Sequence, residues 1–104
     1  MKKLSNEQIL EVILKAGLLY DLAGFENEVE DGFRTQESFK EMLSQENIMS
    51  MVDYHIHDAR TRRKYITSPN TQRTLEIKHI NFLGNETIDK CKQIAVEWAI
   101  KKFS

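Results

Sequence analysis

The sequence predicts a compact, mainly α-helical single domain of four to five helices, and three observations support this. Apolar residues recur at helical spacing in long segments near both ends and in the middle of the chain. Only four glycines and one proline occur in 104 residues, too few for the many turns of a β-sandwich or small barrel. This length fits one domain over residues 1–104, with one modest hydrophobic core.

The first helix begins at a strong start signal. Ser5 can act as the N-cap, and Gln8 three residues later completes a capping box. Apolar residues then continue to Leu22, and Gly24 predicts the end of the helix. The only clear polar stripe has three members at i, i+4 spacing: Glu7, Glu11 and Lys15. A helix this apolar must be covered on several sides, either inside a bundle or at an oligomer interface.

An acidic connector and a short helix are expected next. Residues 25–34 contain Asn27, Asp31 and Gly32, which favour turns, so we expect no regular structure there. Thr35 can then cap a short helix. Its apolar face consists of Phe39, Met42 and Leu43.

The middle segment, residues 47–67, fits two patterns. Val52, Tyr54 and Ile56 alternate with polar residues as in a strand. A longer helical seam steps by three and four residues: Met49, Val52, Ile56, Ala59, Arg63 and Ile66. The longer match favours a helix from about Ile48 to Tyr65, with Asn47 as its N-cap.

The following segment leaves an alternative open. Ser68 and Pro69 form a common helix start, but a β-hairpin that pairs Lys64–Thr67 with Thr74–Ile77 competes with it. That hairpin would make the fold α+β, which is the runner-up fold class. Gly84 and Asn85 then begin a last helix. Its apolar stripe is Ile88, Cys91, Ala95 and Trp98, widened by Ile94, Ala99 and Phe103.

Charge is divided unevenly along the chain. Residues 1–58 carry five lysines and arginines against twelve aspartates and glutamates, a net charge of −7. Residues 59–104 carry ten against four, a net charge of +6, so the total of −1 hides an acidic half and a basic half. Such asymmetry indicates either a basic surface for a polyanion or two halves that attract each other.

The basic half contains a candidate nucleic-acid interface. Its cationic members are Arg60, Arg62, Arg63, Lys64, Arg73 and Lys78. Hydroxyl and amide residues are interspersed among them, and such groups contact phosphates and base edges. The sequence therefore predicts a small regulatory or accessory protein that binds nucleic acid through a basic helix end and the turn after it.

The acidic half suggests a different function. Its carboxylates form a run that continues into the short helix: Glu26, Glu28, Glu30, Asp31, Glu37 and Glu41. The run lacks EF-hand spacing, so a solvated face is the ordinary interpretation. The functional alternative is a protein-binding inhibitor or immunity-type module that docks on a basic partner.

Catalysis, metals and cofactors are not expected. On a helix, His55 and His57 lie about 200° apart and cannot share a metal ion, so one should be buried and the other solvated. Cys91 lies within an apolar stripe, where a thiol acts as a small hydrophobe. No glycine-rich phosphate loop or serine-nucleophile motif occurs.

Compartment and assembly follow from simpler arguments. A single cysteine cannot form an internal disulfide, which favours the cytoplasm. We recognise no signal peptide or membrane span, because the apolar stretch of the first helix is short and contains charges. The first and last helices carry more apolar surface than four short helices would cover, so we expect a homodimer.

Overall fold

The described part of the chain folds as a bundle of four helices, which confirms the mainly α-helical class. The computed structural model describes residues 4–61, 64–68, 73–76 and 83–104. The helices are α1 (Asn6–Glu30), α2 (Gln36–Met42), α3 (Gln45–Thr61) and α4 (Asn85–Phe103). Two short strands, β1 (Lys64–Ser68) and β2 (Arg73–Glu76), lie between α3 and α4.

Helix α1 is longer than predicted, and the expected connector over residues 25–34 was wrong for residues 25–30. The capping box of Ser5 and Gln8 forms as expected, but the helix continues through Gly24 to Glu30. The glycine that ends it is Gly32, whose φ of 83° is left-handed. The Gly32 N–H donates to the Val29 carbonyl and the Phe33 N–H to the Glu28 carbonyl, which is a Schellman motif.

The next two helices begin at hydroxyl caps. Thr35 accepts a hydrogen bond from the Ser38 N–H at 3.0 Å, so the predicted cap of α2 is correct. The predicted cap of α3 was wrong, because Ser44 rather than Asn47 starts that helix. The Ser44 hydroxyl accepts from the Asn47 N–H at 3.1 Å, while the Asn47 amide donates to the Glu41 carbonyl at 3.0 Å.

Helix α3 ends at Thr61, four residues before its predicted end. The backbone then forms an antiparallel hairpin at the place that the runner-up interpretation gave it, with Lys64 opposite Glu76 and Ser68 opposite Arg73. The helix start predicted at Ser68 is incorrect, since this residue ends β1. The hairpin contacts α1 and α3.

The core lies where α1 meets the three other helices. Its fully buried members from α1 are Leu10, Ile13, Leu14, Leu18 and Leu22. They pack against Phe39 from α2, against Ile48, Val52 and Ile56 from α3, and against Ile88, Cys91, Ala95, Val96 and Ala99 from α4. The first half of the seam predicted for the middle helix and most of the stripe predicted for the last helix therefore face the core, while Ile66 of the seam lies in β1 and Arg63 lies outside the described residues.

Side-chain contacts fix the directions of the helices. Cys91 on α4 lies against the Glu7 carbonyl, and Trp98 lies beside Lys15, so α4 runs parallel to α1. Lys92 binds Asp53 at 2.7 Å, while residues further along α3 approach the start of α4, so α3 runs antiparallel to both. The C-terminal ends of α1 and α3 consequently lie at opposite ends of the bundle.

Candidate functional site

One end of the bundle carries the acidic surface, which we define as Glu26, Glu30, Asp31, Glu37 and Glu41. All five residues are exposed. Glu26 and Glu30 are one turn apart on α1, and with Gln36 and Phe39 of α2 they line an open groove of about 430 Å³. Within the described residues, none of the five carboxylates forms an ion pair. This part of the acidic half is therefore not neutralised by the described part of the chain.

Glu28, the sixth predicted member, lies on a different side of α1 and has a structural role. Its carboxylate accepts a hydrogen bond from Arg34 Nε at 2.9 Å. Arg34 also donates to the Ser38 hydroxyl at 3.1 Å and lies 4.7 Å from the centre of the Phe25 ring. These contacts hold the turn between α1 and α2 in place. The presence of one arginine in an acidic stretch is the only sign of this arrangement in the sequence.

An exposed aromatic residue stands in this same turn. Phe33 is 85% exposed, although a phenylalanine normally lies in the core. Phe33 directly follows Gly32, so the left-handed backbone of Gly32 determines the position of Phe33 beyond the end of α1. Aromatic side chains including phenylalanine are enriched at the centre of protein interfaces, and polar residues form the rim, so Phe33 beside exposed carboxylates has the composition of such a surface. The sequence analysis did not identify Phe33 as a site residue.

The basic segment, which we define as residues 60–78, begins at the opposite end of the bundle. Arg60 lies in the last turn of α3, Lys64 opens β1, and Arg73 opens β2. The predicted middle helix to Tyr65 would have held Lys64 in its last turn, which is incorrect because Lys64 begins β1. Arg62, Arg63 and Lys78 lie outside the described residues, so their predicted roles stay predictions.

The acidic surface and the start of the basic segment lie toward opposite ends of α3. The acidic surface lies beside α2 and the C-terminal end of α4, where Phe39 and Phe103 make an edge-to-face contact at 6.4 Å. Helix α3 runs away from this end, and the basic segment starts where α3 finishes.

A buried histidine joins α1 and α3. His55 is 7% exposed, and its Nε2 lies 2.8 Å from Asp21 Oδ2. Its ring packs over Gly17, and a side chain at position 17 would clash with the ring. His57 is exposed, so the two histidines are divided as predicted. In the part of the chain that the structure describes, no three metal-binding side chains come together.

Cys91 is fully buried, as predicted. Burial, and to a lesser extent the nearby carboxylates of Glu11 and Glu7, raise the pKa of its thiol to about 11. The thiol donates a weak hydrogen bond to the Glu7 carbonyl at 3.7 Å. Because the thiolate is the nucleophilic form, these surroundings suit a structural cysteine rather than a catalytic one.

Comparison with known proteins assigns no family. No protein-family model, curated protein or solved structure matches this chain. Among the described residues, no helix is long and apolar enough to span a bilayer. The arguments for function therefore rest on the geometry and charge of the chain itself.

Proposed function

We propose that this chain is a small, non-catalytic regulatory or accessory protein of the cytoplasm that binds nucleic acid through its basic segment. The observation that supports this most is the separation of charge. If the acidic surface lay against the basic segment, ion pairs between the two would explain why the chain carries both charged regions. Instead the segment begins at the far end of α3 from that surface, which supports its availability to a polyanion.

The composition of the basic segment supports a phosphate-binding role. Its cations occur among Thr61, Thr67, Ser68, Asn70, Thr71, Gln72 and Thr74. Lysine and arginine displace the counterions of a phosphate backbone, while hydroxyls and amides add hydrogen bonds. The helix-to-hairpin path of the backbone distributes Arg60, Lys64 and Arg73 over three consecutive elements.

Replacing Arg62 and Arg63 together by alanine should weaken nucleic-acid binding. The measurement is fluorescence anisotropy of labelled duplex and single-stranded DNA, at about 50 and 200 mM salt. If both arginines contact phosphates, the slope of log K against log salt for duplex DNA should decrease by about 0.9 for each. The matched control replaces Lys101 and Lys102, which are exposed on α4 and change the net charge equally.

The outcomes are clearly separated. Loss of affinity in the arginine variant but not in the lysine control would support the basic segment as the interface. Equal loss in both variants would indicate a non-specific effect of net charge. No binding by the unmodified chain at the lower salt concentration would reject the proposal.

A second candidate function is favoured by a separate observation, the exposure of Phe33 beside the acidic surface. A partner with a basic surface would neutralise the five unpaired carboxylates and would cover the Phe33 ring. In such an interface the aromatic residue supplies most of the affinity, and the charges raise the association rate. This describes a protein-binding module of the inhibitor or immunity type.

Phe33→Ala should weaken capture of such a partner by roughly 30-fold, the cost of losing a hot-spot residue of about 2 kcal/mol. The measurement is affinity capture from a lysate of the native cells, followed by titration of the captured protein. Glu30→Lys and Glu37→Lys, each made singly, should slow association. Glu97→Lys on the exposed side of α4 is the charge-matched control for each single reversal. A partner retained equally by all variants would place its binding site elsewhere.

A further inference from the structure

The turn after α1 contains the only aspartate–glycine pair of the chain, Asp31–Gly32. The other four aspartates each precede a residue with a side chain: Asp21, Asp53, Asp58 and Asp89. Because glycine has no Cβ, nothing shields the Gly32 backbone nitrogen from the carboxyl group of the residue before it. Both residues are exposed, so water also reaches them. The pair can therefore undergo a backbone rearrangement that the other aspartates resist.

The rearrangement is the conversion of aspartate to isoaspartate through a cyclic imide. The Gly32 nitrogen attacks the side-chain carboxyl carbon of Asp31 and forms the N–Cγ bond. One carboxyl oxygen leaves as water, with the amide proton and a proton from solvent. Water then adds to the imide. If the N–Cγ bond breaks, aspartate is restored, whereas if the bond from nitrogen to the main-chain carbonyl carbon breaks, isoaspartate remains. The water lost in the first step is regained in the second, so the product has the mass of the original chain.

The backbone of Asp31 holds the pair away from this reaction. The imide ring closes only when Asp31 Cβ and the Gly32 nitrogen are nearly eclipsed about the Asp31 Cα–C bond, because all four atoms belong to one five-membered ring. At the observed ψ of 0°, the Asp31 nitrogen is eclipsed with the Gly32 nitrogen instead. Since Cα is tetrahedral, Cβ lies a rotation of about 120° away.

Hydrogen bonds of the turn oppose that rotation. The Gly32 N–H donates to the Val29 carbonyl at 3.1 Å, and rotation about ψ of Asp31 would carry this N–H away from its acceptor. Arg34 adds a second restraint, because its Nε lies 2.9 Å from the Glu28 carboxylate and so ties the chain beyond Gly32 back to α1. Ring closure therefore requires the turn to open first.

We propose that Asp31–Gly32 is a site of isoaspartate formation that the turn after α1 holds unreactive, and that opening of this turn makes the site reactive. In the product the main chain passes through Cβ and Cγ and is one atom longer. The N–H groups of Gly32 and Phe33 then no longer match the carbonyls of Val29 and Glu28, so the cap of α1 is lost permanently. The carboxylate is retained, but Phe33 loses its fixed position beside the acidic surface.

Peptide mapping after prolonged incubation in neutral buffer measures the conversion. A protease that cleaves before aspartate does not cut at isoaspartate, and the uncut peptide keeps its expected mass. We expect Asp31 to convert in guanidinium chloride, where the turn is absent, and roughly 10-fold or more slowly in buffer. Gly32→Ala in guanidinium chloride is the chemical control, because its methyl group obstructs the attacking nitrogen and should slow the conversion.

The outcomes of this comparison decide between protection and inertness. Equal rates in buffer and in guanidinium chloride would show that the turn gives no protection and would overturn the proposal. Absence of isoaspartate at position 31 in the unfolded chain would also overturn it, because the pair would then not be a reactive site.

Arg34→Ala tests whether opening of the turn controls the reaction. Its conversion in buffer should be about 5-fold faster than that of the unmodified chain, which corresponds to an opening easier by about 1 kcal/mol. In guanidinium chloride the two rates should be equal. Lys90→Ala is the matched control, since it removes one exposed cation near the start of α4, and it should convert at the unmodified rate. If Arg34→Ala converts no faster in buffer than Lys90→Ala, the proposed control by the turn is wrong.

Discussion

Leu18→Ala is expected to lower the free energy of unfolding by about 2–5 kcal/mol. Leu18 is fully buried at the centre of α1, where it packs among side chains from the neighbouring helices. Alanine would remove three buried carbons and leave a cavity that helices on several sides cannot easily close. A domain of this size has a total stability of about 5–15 kcal/mol, so the loss could be a large share of it.

The neighbouring residue provides the control, because Leu19 has the same side chain but is 42% exposed. Leu19→Ala should cost less than about 1 kcal/mol in the monomer, since the side chain loses little buried area. Urea denaturation at low protein concentration would measure both variants. Similar losses for the two substitutions would contradict the described orientation of α1.

Gly17→Ala is expected to destabilise the protein by about 1–3 kcal/mol, although alanine is the better helix former. A Cβ at Gly17 would lie 2.8 Å from both His55 Cε1 and His55 Nε2. Real contacts are never this short, so the ring would have to move. Because the same Nε2 lies 2.8 Å from Asp21 Oδ2, that movement would strain or break a part-buried hydrogen bond.

The same substitution at Gly24 should have the opposite sign. No atom lies within 4 Å of a Cβ there, and the backbone is helical, so alanine should stabilise the protein by about 0.5–1 kcal/mol. Denaturant midpoints of the two variants, measured side by side, test the prediction. If Gly17→Ala is as stable as Gly24→Ala, the His55 ring does not occupy the position described.

The helices were predictable because their signals are local. Ser5 with Gln8 and Thr35 marked two helix starts correctly, since a side chain that caps a helix lies within a few residues of the groups it binds. Most core residues of α3 and α4 followed from their spacing, although Ile48 and Val96 are buried outside the predicted stripes. A stripe of apolar residues at a period of 3.6 buries itself in whatever bundle forms around it.

The end of α1 was not predictable from local signals. Gly24 resembles a helix stop, but it costs only about 1 kcal/mol within a helix. Phe25 and Val29 pack against the core, and their burial outweighs that cost. The true stop at Gly32 requires knowing that the helix extends so far. Tertiary packing therefore outweighed the low helix propensity of Gly24, and such packing cannot be recognised from local sequence.

The candidate sites were also predictable only in part. Exposure of the acidic surface agrees with its charge, because unpaired carboxylates are rarely buried. Glu28 does not belong to the acidic surface because it pairs with Arg34, six residues later in the chain. That pair depends on the geometry of the turn between α1 and α2, which the sequence does not specify. Phe33 was missed because an exposed phenylalanine looks like a core residue in a sequence.

Chemical labelling of the Cys91 thiol would report how readily the helical bundle opens. Cys91 is the only cysteine of the chain, and its thiol is buried between α4 and the first turn of α1. A thiol reagent at neutral pH meets a protonated, inaccessible sulfur in the closed bundle. Labelling therefore requires an opening that exposes Cys91, and where reclosing is faster than labelling the rates give the free energy of that opening with no introduced probe.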